Sequence, residues 1–181
     1  MKNFKTEIDN DGVALFTFDM PGRSMNVLSE AAIADVIAIV EQIKSDDAIK
    51  GAVFTSGKKA FCAGADLEEM GGFIGAIKSK LKTDPEAAKK ELFDRVFTLN
   101  QTFRDLETCG KPIAMALNGL ALGGGFEFVL TCHGRFVADD IPSAKVGLPE
   151  ALVGLLPGAG GTQRLPRIVG LMNAAPTLLQ G

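Results

Sequence analysis

Histidine and cysteine are scarce in this chain. His133 is the single histidine, and Cys62, Cys109 and Cys132 are the three cysteines. A zinc site needs several such ligands at close spacing, and neither set supplies it, so no metal is expected. Three scattered cysteines build no disulfide framework and fit a reducing, cytoplasmic compartment. A Ser-His-Asp triad would have to use His133, and no Gly-x-Ser-x-Gly elbow presents a serine. Cys62 follows Phe61 and has no evident histidine partner, so it reads as a small buried apolar residue rather than a nucleophile. His133 reads as a structural residue at a helix end.

Positive charge is not in excess. Nineteen Lys and Arg against 22 Asp and Glu give a net charge of −3, with the signs interspersed. No basic stripe is available for nucleic acid. The glycine motifs of nucleotide binding are also missing. Phe128 and Gln163 stand where a G-x-G-x-x-G would need its last glycine, and no P-loop lysine is present. One long apolar run exists: Pro112 to Cys132, 21 residues with Glu127 as the lone charge. That length could cross a bilayer. Asn118 and the glycines at 119 and 123–125 interrupt it, however, and a carboxylate in lipid costs at least about 2.5 kcal/mol. The run therefore reads as a buried strand, a glycine turn and a buried helix, with no membrane span. The polar segment Met1–Glu7 begins no signal peptide. Composition is that of one ordinary globular domain, 46% apolar and 23% charged.

The apolar pattern gives the elements. Gly12–Asp19, Gly51–Thr55, Ile113–Leu117 and Arg135–Ala138 read as strands. Ser29 caps a helix carrying Ile33, Val36, Ile37, Val40 and Ile43, ending near Lys44. From about Gly71 to Thr108 the pattern is helical, with a loop inside the polar stretch Lys78–Lys90. Two apolar stripes flank that loop: Phe73, Ile74 and Ile77, then Leu92, Val96, Leu99, Phe103 and Leu106. Pro149–Val153 begins a short element, and Thr162–Val169 is helical with an interruption at Pro166. Three units, starting at Gly51, Ile113 and Arg135, run strand, glycine-bearing turn, then helix or charged turn. This echo predicts successive turns of an α/β superhelix.

Two glutamates carry the chemical signal. Glu127 ends Gly123-Gly124-Gly125-Phe126-Glu127, and Glu150 ends Gly147-Leu148-Pro149-Glu150. The turn Pro157-Gly158-Ala159-Gly160-Gly161-Thr162-Gln163-Arg164 follows, and Phe61-Cys62-Ala63-Gly64-Ala65-Asp66 lies upstream. Carboxylates move protons, and bare backbone N–H groups hold a developing oxyanion, so the set suits proton transfer beside a carbonyl. Each part also has a plain structural reading. Glu127 would pair with Arg104 or Arg164, and Asp66 would cap the helix after it.

The order and spacing of these motifs resemble the crotonase (enoyl-CoA hydratase/isomerase) family. The likeness runs from the first strand to about Gly170. Cys132-His133-Gly134-Arg135 and Gly154-Leu155-Leu156-Pro157 are most similar to the N-terminal hydratase part of bacterial multifunctional fatty-acid β-oxidation enzymes. The resemblance implies a superhelix of repeated ββα units and hydration of trans-2-enoyl-CoA to 3-hydroxyacyl-CoA. It places Glu127 and Glu150 as the catalytic pair and the N–H groups of Ala65 and Gly124 as the oxyanion hole. Ala63, Ala65, Asp66, Leu67, Gly123 and Gly124 would line the acyl-CoA thioester. Glu68 departs from the pattern, standing where many relatives carry lysine. The stripe Phe73–Ile77 would wall the acyl tunnel or, as the base rate for apolar helix faces favours, join the core.

The same resemblance implies no cofactor in this chain, with NAD belonging to a downstream dehydrogenase part. It implies residues 1–181 as the N-terminal part of a larger hydratase domain, with C-terminal helices missing after Gly170. The apolar surface so exposed predicts self-association, as a homo-oligomer or within a multifunctional β-oxidation complex. Alternatives on the same residues are Δ3-Δ2 enoyl-CoA isomerisation and a non-catalytic acyl-CoA-binding module.

Overall fold

A computed structural model describes residues 1–181. Its main sheet has the order β1-β2-β3-β4-β6: Phe4–Ile8, Val13–Phe18, Gly51–Ser56, Ile113–Leu117 and Gly134–Val137. Only β1 runs antiparallel; the other neighbours pair in parallel. Parallel strands need crossovers, and each crossover here carries a second short stretch of extended chain. Leu28 bridges Ala65, Cys62 bridges Ala121, and β5 (Ala121–Leu122) pairs with β7 (Val146–Gly147). A helix then closes most turns: α1 (Glu30–Ser45), α2 (Leu67–Lys80), α4 (Gly124–Thr131) and a 3₁₀ helix (Pro149–Val153). α3 (Pro85–Glu107) is inserted after α2, and α5 (Gly161–Val169) and α6 (Leu171–Gln180) follow the 3₁₀ helix. The superhelix thus has four turns rather than three, because β2, Leu28 and α1 form the first.

Strand alternation builds the core. Register aligns Phe16 with Phe54 and Phe54 with Met115, so one sheet face is a slab of large side chains. α4 lies against this slab and is buried from Gly125 to Thr131. Phe128 is its centre, with ring centroids 5.1 Å from Phe54, 5.9 Å from Phe61 and 5.5 Å from Phe103. The apolar run Pro112–Cys132 is therefore β4, β5 and α4, and no helix is long and apolar enough to cross a membrane.

Several elements differ from the sequence expectation. β1 was not foreseen: Phe4-Lys5-Thr6-Glu7-Ile8 buries only Phe4, which stacks on Phe18 at 4.4 Å. The expected loop within Lys78–Lys90 shrinks to residues 81–84. Asp84 Oδ1 accepts from the Ala87 N–H at 3.0 Å, and Pro85 opens α3, where a missing N–H costs nothing. Pro166 does not interrupt α5, which continues through it and ends with the Gly170 N–H donating to the Pro166 carbonyl at 2.9 Å. The two apolar stripes are only partly core. Ile77, Phe103 and Leu106 are buried, whereas Ile74, Leu92 and Val96 are exposed, with Phe93 at 63% and Phe97 at 52%. α2 and the first half of α3 form a hairpin that stands off the body. Periodicity identified the helices but not what lies against them.

Phe128→Ala is expected to cost about 3–5 kcal/mol in urea unfolding, and Phe93→Ala less than about 1 kcal/mol. Equal losses would contradict this division between packed body and projecting hairpin.

Candidate active site

The two sequence-selected glutamates meet at the N-terminus of α4. Glu127 lies in its first turn and is 2% exposed. Its Oε1 accepts from the Ala159 N–H at 2.8 Å and the Gly161 N–H at 2.7 Å. The arginine pairing of the plain structural reading does not occur, since Arg104 and Arg164 both go to Glu107, at 2.8 and 3.3 Å. Backbone donors replace a cation. This also explains Gly161, because a Cβ there would stand 3.0 Å from Glu127 Oε1.

Glu150 comes from the 3₁₀ helix, which follows β7 directly. β7 is held in place by β5, and the Gly123 N–H donates to the Gly147 carbonyl at 2.9 Å. Gly123 has φ +52°, which disfavours any side chain, and a Cβ on it would lie 3.1 Å from Glu150 Oε1. Glu150 Oε2 is buried and has no hydrogen-bond partner in the chain.

Burial sets the proton affinity of both acids. It raises Glu127 from the ordinary 4.5 to about 7, opposed by the Gly161 and Ala159 amides, reinforced by the charge of Glu150 and opposed by Arg164. Glu150 also moves up, again through burial, opposed by its own backbone N–H. The charge of Glu150 thus helps to raise Glu127, and a carboxyl poised near neutral pH can both hold and release a proton.

The oxyanion candidates lie alongside. Gly64 and Gly123 pack backbone to backbone, with the Cβ position of Gly123 3.9 Å from Gly64 Cα. Leu28 ties the two turns together. Its N–H donates to the Gly64 carbonyl at 2.8 Å, it bridges Ala65, and its Cδ1 would lie 3.0 Å from a Cβ on Gly124. The N–H groups of Ala65 and Gly124 donate no hydrogen bond inside the chain. Gly124 opens α4, so its donor also lies at the positive end of that helix. The Gly158–Gly161 turn, by contrast, directs its Ala159 and Gly161 N–H groups at Glu127.

The remaining candidates separate into structural and exposed positions. Asp66 caps α2, accepting from the Glu68 and Glu69 N–H groups at 3.1 and 3.3 Å, and it pairs with Arg23 at 2.7 Å. Ala63 donates its N–H to the Asn26 carbonyl at 2.9 Å, while Leu67 and Glu68 are exposed on the first turn of α2. Phe73 lies beneath Arg95, 4.2 Å from its ring centroid to the guanidinium, and Ile77 is buried outside the main core. Cys62 is fully buried and its thiol is pushed up to about 12 by burial, which leaves it inert. His133 is structural: Nδ1 accepts from the Ile113 N–H at 2.9 Å, and Nε2 lies 3.1 Å from the Glu107 carbonyl. Asn26 was missed. Its buried amide donates to the Phe18 and Phe61 carbonyls and accepts from the Met20 N–H, fixing the Phe61 turn at 2.8–3.1 Å. An asparagine just before the apolar pair Val27-Leu28 was the available signal. Two open grooves, about 280 Å³ between α1 and α3 and about 420 Å³ beside His133, contain neither glutamate.

Comparison with known proteins gives a consistent result. The family model for enoyl-CoA hydratase/isomerase matches residues 8–181. The fatty acid oxidation complex subunit alpha of Idiomarina loihiensis is 40% identical over 181 residues, and that of Shewanella frigidimarina 41% over 185. Each match covers 99% of this chain, which spans only 24% of the relative's length. Among solved structures, an enoyl-CoA hydratase from Bacillus anthracis superposes with a TM-score of 0.80 at 30% identity, covering 99% of this chain and 63% of that one. An enoyl-CoA hydratase from Geobacillus kaustophilus gives 0.80 at 27% identity, covering all of this chain and 62% of that one.

The raised affinity of Glu127 has a consequence for stability. The folded state binds this proton more tightly than the unfolded state, so stability falls as pH rises from 4.5 to about 7. The full cost, about 3 kcal/mol, is present above that window and absent below it. Relative to the unmodified chain, Glu127→Gln is expected to gain stability across this range in urea unfolding at successive pH values. Parallel pH profiles for the two proteins would contradict the assignment.

Proposed function

Because the chain belongs to the enoyl-CoA hydratase/isomerase family, we propose that its protein adds water to trans-2-enoyl-CoA thioesters, giving 3-hydroxyacyl-CoA in fatty-acid β-oxidation. One observation carries this reading: two glutamates with raised proton affinity flank a helix N-terminus beside two unengaged backbone N–H groups. In the proposed reaction the thioester oxygen accepts from the Ala65 and Gly124 N–H groups. One glutamate takes a proton from water, and the hydroxide adds to C3. The C2–C3 electron pair moves toward the carbonyl, and the resulting enolate charge rests on the two amides and the end of α4. The other carboxyl then protonates C2. Each backbone donor of this kind contributes roughly 3–4 kcal/mol to such a transition state. Substrate and product differ only by water, so the step transfers no electrons and calls for no redox cofactor.

Ala63, Asp66, Leu67 and Gly123 line the thioester in this reading, Asp66 by shaping the start of α2 rather than by touching substrate. Retention of both acids favours hydration, because moving a double bond needs a proton shuttle but no added water. The share of the relatives and neighbours that this chain covers supports placing residues 1–181 as the crotonase-like core of a larger hydratase domain within a multifunctional protein. A cytoplasmic location fits the three free cysteines. Exposed Leu152, Leu156, Leu171, Met172 and Leu179 on the 3₁₀ helix, the adjoining loop and α6 support burial of this face against further chain or a second copy.

The test is turnover of trans-2-enoyl-CoA by the full-length protein. Glu127→Gln and Glu150→Gln are each expected to lower kcat for hydration by about 10²- to 10⁴-fold. Loss of 3-enoyl-CoA isomerisation in Glu150→Gln alone, with no hydration by the parent, would instead identify an isomerase. Tight acyl-CoA binding without either reaction would identify a binding module.

A further inference from the structure

Glu107 ends α3 and Arg164 lies in α5, and neither takes part in the chemistry above. The Arg164 side chain nevertheless reaches the turn that holds Glu127, and Glu107 pairs with Arg164. Arg164 Nη2 lies 3.3 Å from Glu107 Oε2, and Arg104 Nη1 donates to the same oxygen at 2.8 Å. From its other end, Arg164 Nη1 donates to the Ala159 carbonyl at 2.9 Å. Ala159 supplies one of the two N–H groups on Glu127 Oε1. The backbone of Arg164 grips the next residue, donating its N–H to the Gly160 carbonyl at 2.9 Å. The Arg164 side chain is only 12% exposed, and its Nε is buried with no acceptor. Glu107 and the Ala159 carbonyl therefore carry all of its pairing. Burial pushes Glu107 up, but its bonds to Arg104 and Arg164 outweigh this and hold it below the ordinary range, so it stays ionised at neutral pH.

We propose that Glu107 and Arg164 are positioning residues that lock the Ala159–Gly161 turn onto Glu127, fixing the direction of its carboxyl and the two donors it accepts. The effect on turnover rests on the hydratase reading; the effect on the Glu127 carboxyl does not. The groups facing Glu127 are Glu150 from the 3₁₀ helix and Arg164 from α5. Glu107 and Arg104 of α3 act through Arg164, and the Cys62 and Cys132 thiols stay neutral because burial pushes both up to about 12. Removing Arg164 loosens both amide donors and withdraws a favourable charge. Both changes move the Glu127 titration upward.

The experiment is an isotope-edited infrared titration of the full-length protein, reading the carboxyl band that disappears in Glu127→Gln. Arg164→Gln is expected to raise the midpoint by at least about half a pH unit. In the hydration assay the same variant should lose about ten- to a hundredfold in kcat, with KM within about twofold and the acid limb shifted alongside the midpoint. Arg164→Lys keeps the charge but not the fork, and should fall between. If Arg164→Gln does not fold, Glu107→Gln gives the same readouts with a smaller shift. A folded variant with an unmoved midpoint and unchanged kcat overturns the proposal. A moved midpoint in a protein that never hydrates enoyl-CoA supports the brace and removes the hydratase reading. Hydration by the parent with an unmoved midpoint removes the brace alone.

Discussion

Burying the Glu127 carboxyl is the constraint on which the rest of this structure depends. An ionisable group that is almost wholly enclosed needs donors, and α4 alone offers only its own N-terminal amides. The chain meets the need by returning after β7, passing the 3₁₀ helix and laying the Ala159–Gly161 turn against Oε1. That return also delivers Glu150 to Gly123. Support for one acid and delivery of the other are thus a single feature of the path. The cost is a carboxyl that holds its proton up to about pH 7, which is useful to a proton donor or acceptor working near neutrality.

The body beneath the site explains why it can be held closely. α4 is buried along its length and is gripped through Phe128 by β3, by the Phe61 turn and by α3. The Ala65 turn is held by Leu28 and by the Asn26 amide, so both candidate oxyanion donors sit on packed backbone rather than on free loops. Sites on such rigid elements keep their geometry better than sites on loops. The α2–α3 hairpin is the opposite case. Along its α3 arm Phe93 and Phe97 are exposed and stacked on each other at 5.5 Å.

Much of this was legible in the sequence because side chains carry the signal. The apolar pattern gave β2, β3 and β4, Ser29 was read as a cap, and capping was the structural alternative for Asp66 that the fold adopts. A carboxylate inside an apolar run singled out Glu127, and the order of three glycine motifs gave the family. What was not legible belongs to backbone and tertiary context. The partners of Glu127 are amides of Ala159 and Gly161, which have no side-chain signature, so the arginines looked like better candidates. β1 alternates weakly and sits at a sheet edge, where one buried phenylalanine suffices. The periodicity of α3 is real at both ends, yet only Phe103 and Leu106 are buried in the main core, with Leu99 packed against it.

The most direct test of the central claim is a crystal structure of the full-length protein with a non-hydrating acyl-CoA thioester analogue. The account predicts the thioester oxygen within hydrogen-bonding distance of the Ala65 and Gly124 nitrogens, with the Glu127 and Glu150 carboxyls together on one side of the acyl C2–C3 bond. A thioester bound away from those nitrogens, or carboxyls on opposite sides of that bond, would contradict it.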